Sequence, residues 1–360
     1  MAEIGDYMGL MENEQYRSLL DRTIKAFPHW SLLEGKTLFL SGATGMLGSF
    51  LVDLVMRRNE SVPTGLKCGL ICVGRNADTA RWRFARWLSE PEFHFVEHDI
   101  TVPLDVLPCH ADFFIHGAST SHPVEYSTQP INTVLANVLG ARNVLELAAK
   151  ETKSRTLLLS SVEIYGENRG DTELFDEDYC GYLNCNTLRA GYPEAKRVSE
   201  ALCQAYIAEK GVDATIIRLP RCYGPTMKIE DSKAIAQFIK NGVRGEDIVL
   251  KSKGEQVYSF AYAPDAVLGM LWVLLRGGTG QAYNLGDQRS DIMQKDLAKL
   301  IADCAGTKVV FDIPSETERR GYSTATKALM DASKLEVLGW LASCDISTGI
   351  RETVDILRAI

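Results

Sequence analysis

The sequence has no Cys-x-x-Cys pair, no surplus of positive charge and no apolar run near the ~18 residues that a membrane span needs. Each absence removes a class of function. Nine cysteines, odd in number and scattered, fit a reducing cytosol rather than a disulfide framework or a zinc site. His94 and His98 flank a predicted strand, so ordinary packing explains them better than metal ligation, and no metal is expected. A net charge of −8 argues against nucleic acid or an anionic membrane as the main partner. The acidic N-terminus lacks the apolar core of a signal peptide, and the expected location is cytoplasmic. No internal repeat or low-complexity tract stands out. Arg81 to Trp87 (RWRFARW) mixes basic and aromatic residues; it reads as a short amphipathic helix that buries Trp82 and Phe84 or Trp87 and leaves its arginines in water.

What is present is an ordinary enzyme-like composition, 46% hydrophobic and 24% charged over 360 residues, with room for a sizeable core. The length suits two domains, or one with a large appendage. A helix is expected over Glu12 to Phe27, either docked on the body or used for assembly. From Lys36 onward strands and helices alternate. Strands are expected at Thr37–Ser41, Leu70–Val73, Phe93–Glu97, Phe113–His116, Thr156–Ser160 and Ala214–Leu219. Helices are expected around Thr133–Lys150 and Tyr192–Lys210. Continuous apolar strands separated by helices predict a doubly wound parallel sheet covered on both faces. After Arg218 the alternation stops. Arg221 to Pro225 reads as a turn, followed by a helix at Ser232–Asn241, a strand pair and a helix at Asp265–Leu275. The expected plan is therefore α/β. A helical extension (1–35) precedes a Rossmann-type doubly wound domain (36–218), and a smaller mixed α/β C-terminal substrate domain follows (219–360), with some elements returning to the first sheet.

The stretch KTLFLSGATGMLGSF, Lys36 to Phe50, joins a strand to a helix through Gly42, Gly45 and Gly48. Such a turn forms a dinucleotide pyrophosphate site. The glycines admit the phosphates, and the free N–H groups of Met46, Leu47 and Gly48 at the helix start meet their charge, with Thr44 in the same loop. The spacing is Gly-x-x-Gly-x-x-Gly. Further on, Tyr192 and Lys196 share one helix face, where a lysine stabilises a phenolate, lowers its pKa and fits it to take a hydroxyl proton. Ser161 ends the fifth strand, positioned to hydrogen-bond a substrate oxygen and the tyrosine. Taken singly, Tyr-x-x-x-Lys is common by chance; in this order after the glycine turn, the combination is far more specific.

With these motifs the chain resembles the extended short-chain dehydrogenase/reductases, the nucleotide-sugar epimerases and dehydratases, from about Lys36 to the C-terminus. Matching segments include Asp99-Ile100, His116-Gly-Ala-Ser119, LLLSSVEIYG, YPEAKRVSEALCQAY, RLPRCYGP and AYNLGD. Within that family, HGASTSHPVEYSTQPINTVLANVLGARNVLELA and the Tyr192 helix look most like UDP-glucuronate decarboxylases. The resemblance implies a catalytic set of Ser161, Tyr192 and Lys196, with Glu163 placed over the sugar's C5. It implies cofactor contacts from Asp99, Ile100 and Ala118, as well as Tyr192 and Lys196, and substrate contacts from Ser119, Tyr126, Arg221 and Tyr258. Three positions depart from the family pattern. Val162 stands where dehydratases have aspartate and decarboxylases serine. Arg221 stands where relatives have a diphosphate-contacting asparagine, and Tyr258 where they have arginine, as if one cation had moved from 258 to 221.

The implied reaction is oxidation of a nucleotide sugar at C4, followed by decarboxylation, 4,6-dehydration or C4-epimerisation, with a tightly bound NAD recycled. Arg75, after the second strand, leaves NADP open and with it an NADPH-dependent reductase. A non-catalytic dinucleotide-binding protein is the remaining alternative, although such proteins usually lose the tyrosine or lysine. Relatives also imply a homodimer formed through the Thr133 and Tyr192 helices, with Val134, Val138, Leu145, Val198, Leu202 and Tyr206 available to the interface.

Overall fold

A computed structural model of the chain describes residues 7–119, 128–313 and 326–360. Six strands of the central sheet come from the first part of the chain: β1 (Thr37–Ser41), β2 (Gly69–Gly74), β3 (Phe93–Glu97), β4 (Phe113–His116), β5 (Arg155–Ser161) and β6 (Asp213–Leu219). After them come β7 (Arg221–Tyr223), β8 (Ile248–Leu250), β9 (Val257–Tyr262) and β10 (Ala282–Asn284). The last three are β11 (Asp291–Met293), β12 (Val309–Phe311) and β13 (Lys327–Ala328). The central sheet has seven strands, all parallel, in the order β10-β6-β5-β4-β1-β2-β3.

The helices that matter for the site are α1 (Glu14–Ala26), α2 (Met46–Asn59), α3 (Ala77–Arg83), α4 (Pro130–Lys150), α5 (Gly191–Lys210), α6 (Ala234–Arg244) and α7 (Ala263–Arg276). Alternate residues of each strand join opposite cores, as period-2 geometry demands. Leu38 and Leu40 pack in the core that holds Phe50, Leu54 and Val55 of α2 and Val267 and Leu271 of α7. Phe39 and Ile71 pack with Ala141, Val144 and Ala148 of α4 and Cys203 and Tyr206 of α5. Both faces of the sheet are thus covered, which is why its strands read as unbroken apolar runs. Among the described residues no helix is long and apolar enough to cross a membrane.

The C-terminal part departs from expectation in two ways. Arg221–Tyr223 is a strand, not a turn. Pro220 has no N–H to continue the β6 ladder, so the chain leaves the central sheet and β7 pairs with β9 instead. The strands β8 and β9 do not pair with each other. β8 runs parallel to β12, while β9 takes β7, β11 and β13. The strand that joins the central sheet from this part is β10, from AYNLGD, beside β6. Its three residues are too few to carry a periodic signal.

The RWRFARW segment also differs. The helix α3 ends at Arg83, and Phe84 and Trp87 are buried beyond it while Trp82 is exposed. Arg83 is not in water. It is buried against the fully buried Asp53 of α2, Nη2 to Oδ2 at 2.5 Å. Asp53 also accepts from the Tyr16 hydroxyl (2.7 Å) and from Trp87 Nε1 (2.9 Å). The N-terminal helix α1, capped by the Asn13 side chain on Tyr16 N–H, is therefore docked on the body through this carboxylate. Asp53→Ala would remove the buried carboxylate on which Arg83, Tyr16 and Trp87 converge and should destabilise the fold by about 3–5 kcal/mol. In chemical denaturation, Asp53→Ala/Arg83→Met should lose much less than the two single variants added together; simple additivity would show that the ion pair is not the coupling.

Candidate active site

A cavity of about 1240 Å³ opens at the carboxyl ends of the central strands. Gly42, Thr44, Gly45, Met46, Leu47 and Gly48 line one region of it, beside Ala118 and Ser119 from the loop after β4. Gly42 has φ +79°, and a Cβ there would lie 2.7 Å from Ala118 N. A Cβ on Gly48 would lie 2.4 Å from Gly42 O. These two glycines let the turn fold tightly on itself and on the β4 loop. Gly45 differs: its Cβ would meet only Gly42 O, at 3.1 Å, and otherwise open space. It caps α2 without a side-chain bond, so the helix's first N–H groups face the cavity wall with room for a phosphate in front. The residues present fit a dinucleotide. Ser41 Oγ supports the turn from behind, bonded to His116 Nδ1 (2.8 Å) and accepting from Ala118 N–H (3.3 Å). Burial, helped by Lys196, pulls His116 down to about 3 and keeps it neutral.

Arg75, Asp99 and Ile100 lie on the same cavity wall, at the ends of β2 and β3. Asp99 accepts from Thr101 N–H and from the Thr101 hydroxyl, both at 2.9 Å. These bonds hold its carboxyl below the ordinary range, and the charge of Arg75 lowers it further.

Glu163 lies in the one-turn 3₁₀ helix Val162–Tyr165 that Ser161 caps, and its N–H donates to Ser161 Oγ at 3.2 Å. Two guanidinium groups flank its carboxylate: Arg221 Nη2 is 3.5 Å from Oε1, and Arg189 Nη2 is 3.5 Å from Oε2. Arg221 Cζ sits 3.6 Å above the Tyr258 ring centroid, so the two departures from the family pattern are in direct contact. The structure directs Arg221 toward Glu163. Arg189 escapes sequence reading because it lies in a loop between motifs, with only its nearness to Tyr192 as a signal. Thr226, also missed, donates to Met46 O at 2.9 Å and ties the C-terminal part to the glycine turn. Lys228 and Lys251, which no motif picks out, line the cavity from the C-terminal part. Tyr126 lies outside the described residues.

Tyr192 and Lys196, on the first turns of α5, are both buried. Ser161 and Ser119 lie near enough to the Tyr192 hydroxyl to favour its phenolate. Ser119 Oγ in turn donates to Asn137 Oδ1 of α4 at 2.9 Å. Lys196 Nζ lies 5.9 Å from the Tyr192 ring centroid and donates to Leu159 O at 2.8 Å. The expected lowering of the phenol by its lysine is not what this geometry produces. Burial pushes Tyr192 up to about 12; the Ser161 and Ser119 hydroxyls oppose that rise, and the charge of Glu163 adds to it. Burial also pulls Lys196 down to about 8. A lysine whose pKa is lowered by folding opposes the folded state below that value, where both states carry the proton. Stability recovers as pH rises from about 8 toward the unfolded value near 10.4. Lys196→Met should therefore stabilise the protein at pH 7 by about 1–3 kcal/mol and flatten this rise. Denaturation of both proteins at pH 7 and pH 10 checks it, and a variant less stable than the parent at pH 7 would refute it.

Comparison with known proteins identifies the family. The profile of the NAD dependent epimerase/dehydratase family matches residues 38–286. UDP-glucuronic acid decarboxylase 5 of Arabidopsis thaliana is 31% identical over 317 residues, 87% of this chain and 86% of that protein. UDP-glucuronic acid decarboxylase 1 of Xenopus tropicalis is 30% identical over 328 residues, 90% of this chain and 72% of that protein. Among solved structures, UDP-glucose 4-epimerase from Thermotoga maritima with UDP-glucose superimposes with a TM-score of 0.74 at 20% identity, covering 90% of this chain and 99% of that one. That likeness speaks to the fold. With the family profile spanning the glycine turn, the Ser161–Tyr192–Lys196 cluster and β10, the chain belongs to the NAD dependent epimerase/dehydratase family.

Proposed function

We propose that this protein oxidises a nucleotide-linked uronic acid at C4, using bound NAD, and then releases its carboxyl group as carbon dioxide, as a UDP-glucuronate decarboxylase does. The observation that carries the reading is the joining of three parts in one cavity: the glycine turn, the Ser161–Tyr192–Lys196 cluster and the Glu163–Arg189–Arg221 cluster. NAD held by the glycine turn would supply a hydride acceptor for C4. Tyr192 takes the O4 proton, with Ser161 and Ser119 holding the two oxygens in line. A positive charge brought beside Tyr192 favours its phenolate, opposing the effect of burial. The 4-ketone makes the uronate a β-keto acid. As the C5–C6 bond breaks, its electron pair moves onto the ketone oxygen, and a proton replaces carbon dioxide at C5. Hydride and the O4 proton then return, so the net change is loss of carbon dioxide alone.

Loss of water from C6, the dehydratase course, needs a proton donor for the leaving hydroxyl. The residue beside Glu163 is Val162, buried and apolar, which offers none. The partly compensated charge of Arg75 supports NAD over NADP: with Asp99 alongside, a 2′-phosphate would meet a carboxylate as well as a cation. All nine cysteines are free thiols, which supports a reducing, cytoplasmic setting. A division at about residues 35 and 218, with β10 returning across it, remains our reading of the domains.

The direct test is to incubate the protein with UDP-glucuronate and follow products by NMR; a UDP-pentose should form with carbon dioxide. A UDP-galacturonate product would instead mean C4 epimerisation. Tyr192→Phe should slow reduction of the bound cofactor about 10²–10⁴-fold. Glu163→Gln should still reduce it on adding substrate, seen as nicotinamide absorbance, and then stall. Turnover of Glu163→Gln at the parent rate would make that glutamate structural.

We also propose a homodimer through α4 and α5. Ile131, Val134 and Leu135 on α4 and Val198 on α5 are exposed apolar side chains. Leu145 and Tyr206, expected at that interface, are instead buried in the chain's own core, because α4 and α5 first pack against the sheet. Light scattering at micromolar concentration should give twice the 39.8 kDa chain mass, and Val134→Glu/Val198→Glu should reduce it to one.

A further inference from the structure

Arg221 is where this chain departs from its relatives, and its surroundings define a task. One face of its guanidinium lies on Tyr258, 3.6 Å from the ring centroid. One edge approaches Glu163 at 3.5 Å, longer than a well-formed charge-assisted bond. Its Nη1 is buried and has no hydrogen-bond partner among the described residues. An unmade bond on a buried guanidinium is costly and marks a place for an acceptor. Arg189 reaches the same carboxylate at the same 3.5 Å. Two guanidiniums around one carboxylate leave the cluster one positive charge in excess. This excess lies at the reacting end of the cavity: Glu163 is close enough to Tyr192 to raise its phenol, and its N–H is capped by Ser161.

Resting on the function proposed above, we infer that Arg221, together with Arg189, receives the carboxylate on the sugar carbon beside the reacting ring, and so makes the enzyme selective for uronic acids over neutral hexoses. A planar fork fixed on an aromatic face presents two N–H donors in the geometry a carboxylate accepts. The incoming charge balances the cluster, which a neutral hydroxymethyl group cannot do; discrimination comes from leaving buried donors unpaired with the wrong substrate. Tyr258 is a positioning residue, since it orients the guanidinium and does not itself meet the carboxylate. The competing role for Arg221 is the diphosphate, which every nucleotide sugar carries. The two roles differ in which ligands they affect.

Calorimetric titration of the NAD-loaded protein with UDP-glucuronate, UDP-glucose and UDP separates them. The parent protein should bind UDP-glucuronate at least tenfold more tightly than UDP-glucose. Arg221→Met should weaken UDP-glucuronate about 100-fold and change UDP-glucose and UDP less than threefold. Arg221→Lys should recover part of the difference, and Tyr258→Leu should lose part of it. Equal weakening of all three ligands by Arg221→Met assigns the arginine to the diphosphate and overturns the inference, as does no weakening of any. A parent protein without preference for the uronate overturns it too. If the preference exists and Arg221→Met removes it, yet UDP-glucuronate is never turned over, the selectivity stands and the decarboxylase reading falls. Near-UV circular dichroism of each variant establishes that the compared proteins are folded.

Discussion

The contact on which the site depends is the one between the turn after β1 and the loop after β4. Backbone meets backbone there, with no space for a side chain at Gly42 or Gly48. Because the two chain segments touch, the start of α2 and the Gly117–Ser119 loop share one wall of the cavity. Ser41 spans the seam, joining the His116 ring to Ala118 N–H. A methyl group at Gly42 would push these elements apart and move Ser119, which lies beside the hydroxyl of Tyr192. Cofactor geometry and catalytic geometry are therefore set by a single steric constraint.

The catalytic pair works against the fold that holds it. Tyr192 and Lys196 are both more than nine-tenths buried, and burial moves each toward its neutral form, the phenol upward and the ammonium downward. Leu159 O holds the lysine, and Asn137 holds Ser119, which with Ser161 lies beside the tyrosine's hydroxyl. Asn137 is itself anchored by its own helix, donating to Thr133 O at 2.8 Å. The site is thus prepared for charge that a ligand must bring, a common condition of active sites.

Much of this architecture is legible in the sequence for a physical reason. β1 and β4 can be read to the residue, because a strand covered on both faces is largely apolar and its ends fall where that run stops. The glycine turn and the Tyr192–Lys196 pair can be read because their spacing is dictated by local geometry. What escapes are facts set by distant partners. Whether β8 pairs with β9 or β12 depends on the route of the chain between them, not on either strand's composition. Arg83 looks like a solvated arginine until Asp53, thirty residues earlier, is brought beneath it. Arg189 carries no motif at all and acquires meaning only when folding sets it against Glu163.

The contact between Arg221 and Tyr258 shows what a cavity for an anion requires. A binding site for an anionic substrate requires a certain positive charge within a certain region; it does not require that charge to issue from a particular strand. β7 and β9 are paired neighbours, with Arg221 opposite Phe260, so the side chain from β7 reaches the ring of Tyr258 two residues along β9. A cation on either of two such strands would serve the same region of the cavity with a different aim. Here the guanidinium, laid on the ring, is turned toward Glu163. Val162 beside it removes any acid that could expel a C6 hydroxyl. The two departures then act together: one takes away the means of losing water, and the other adds a receptor for the group whose loss needs no acid, because the C4 ketone alone accepts the electrons.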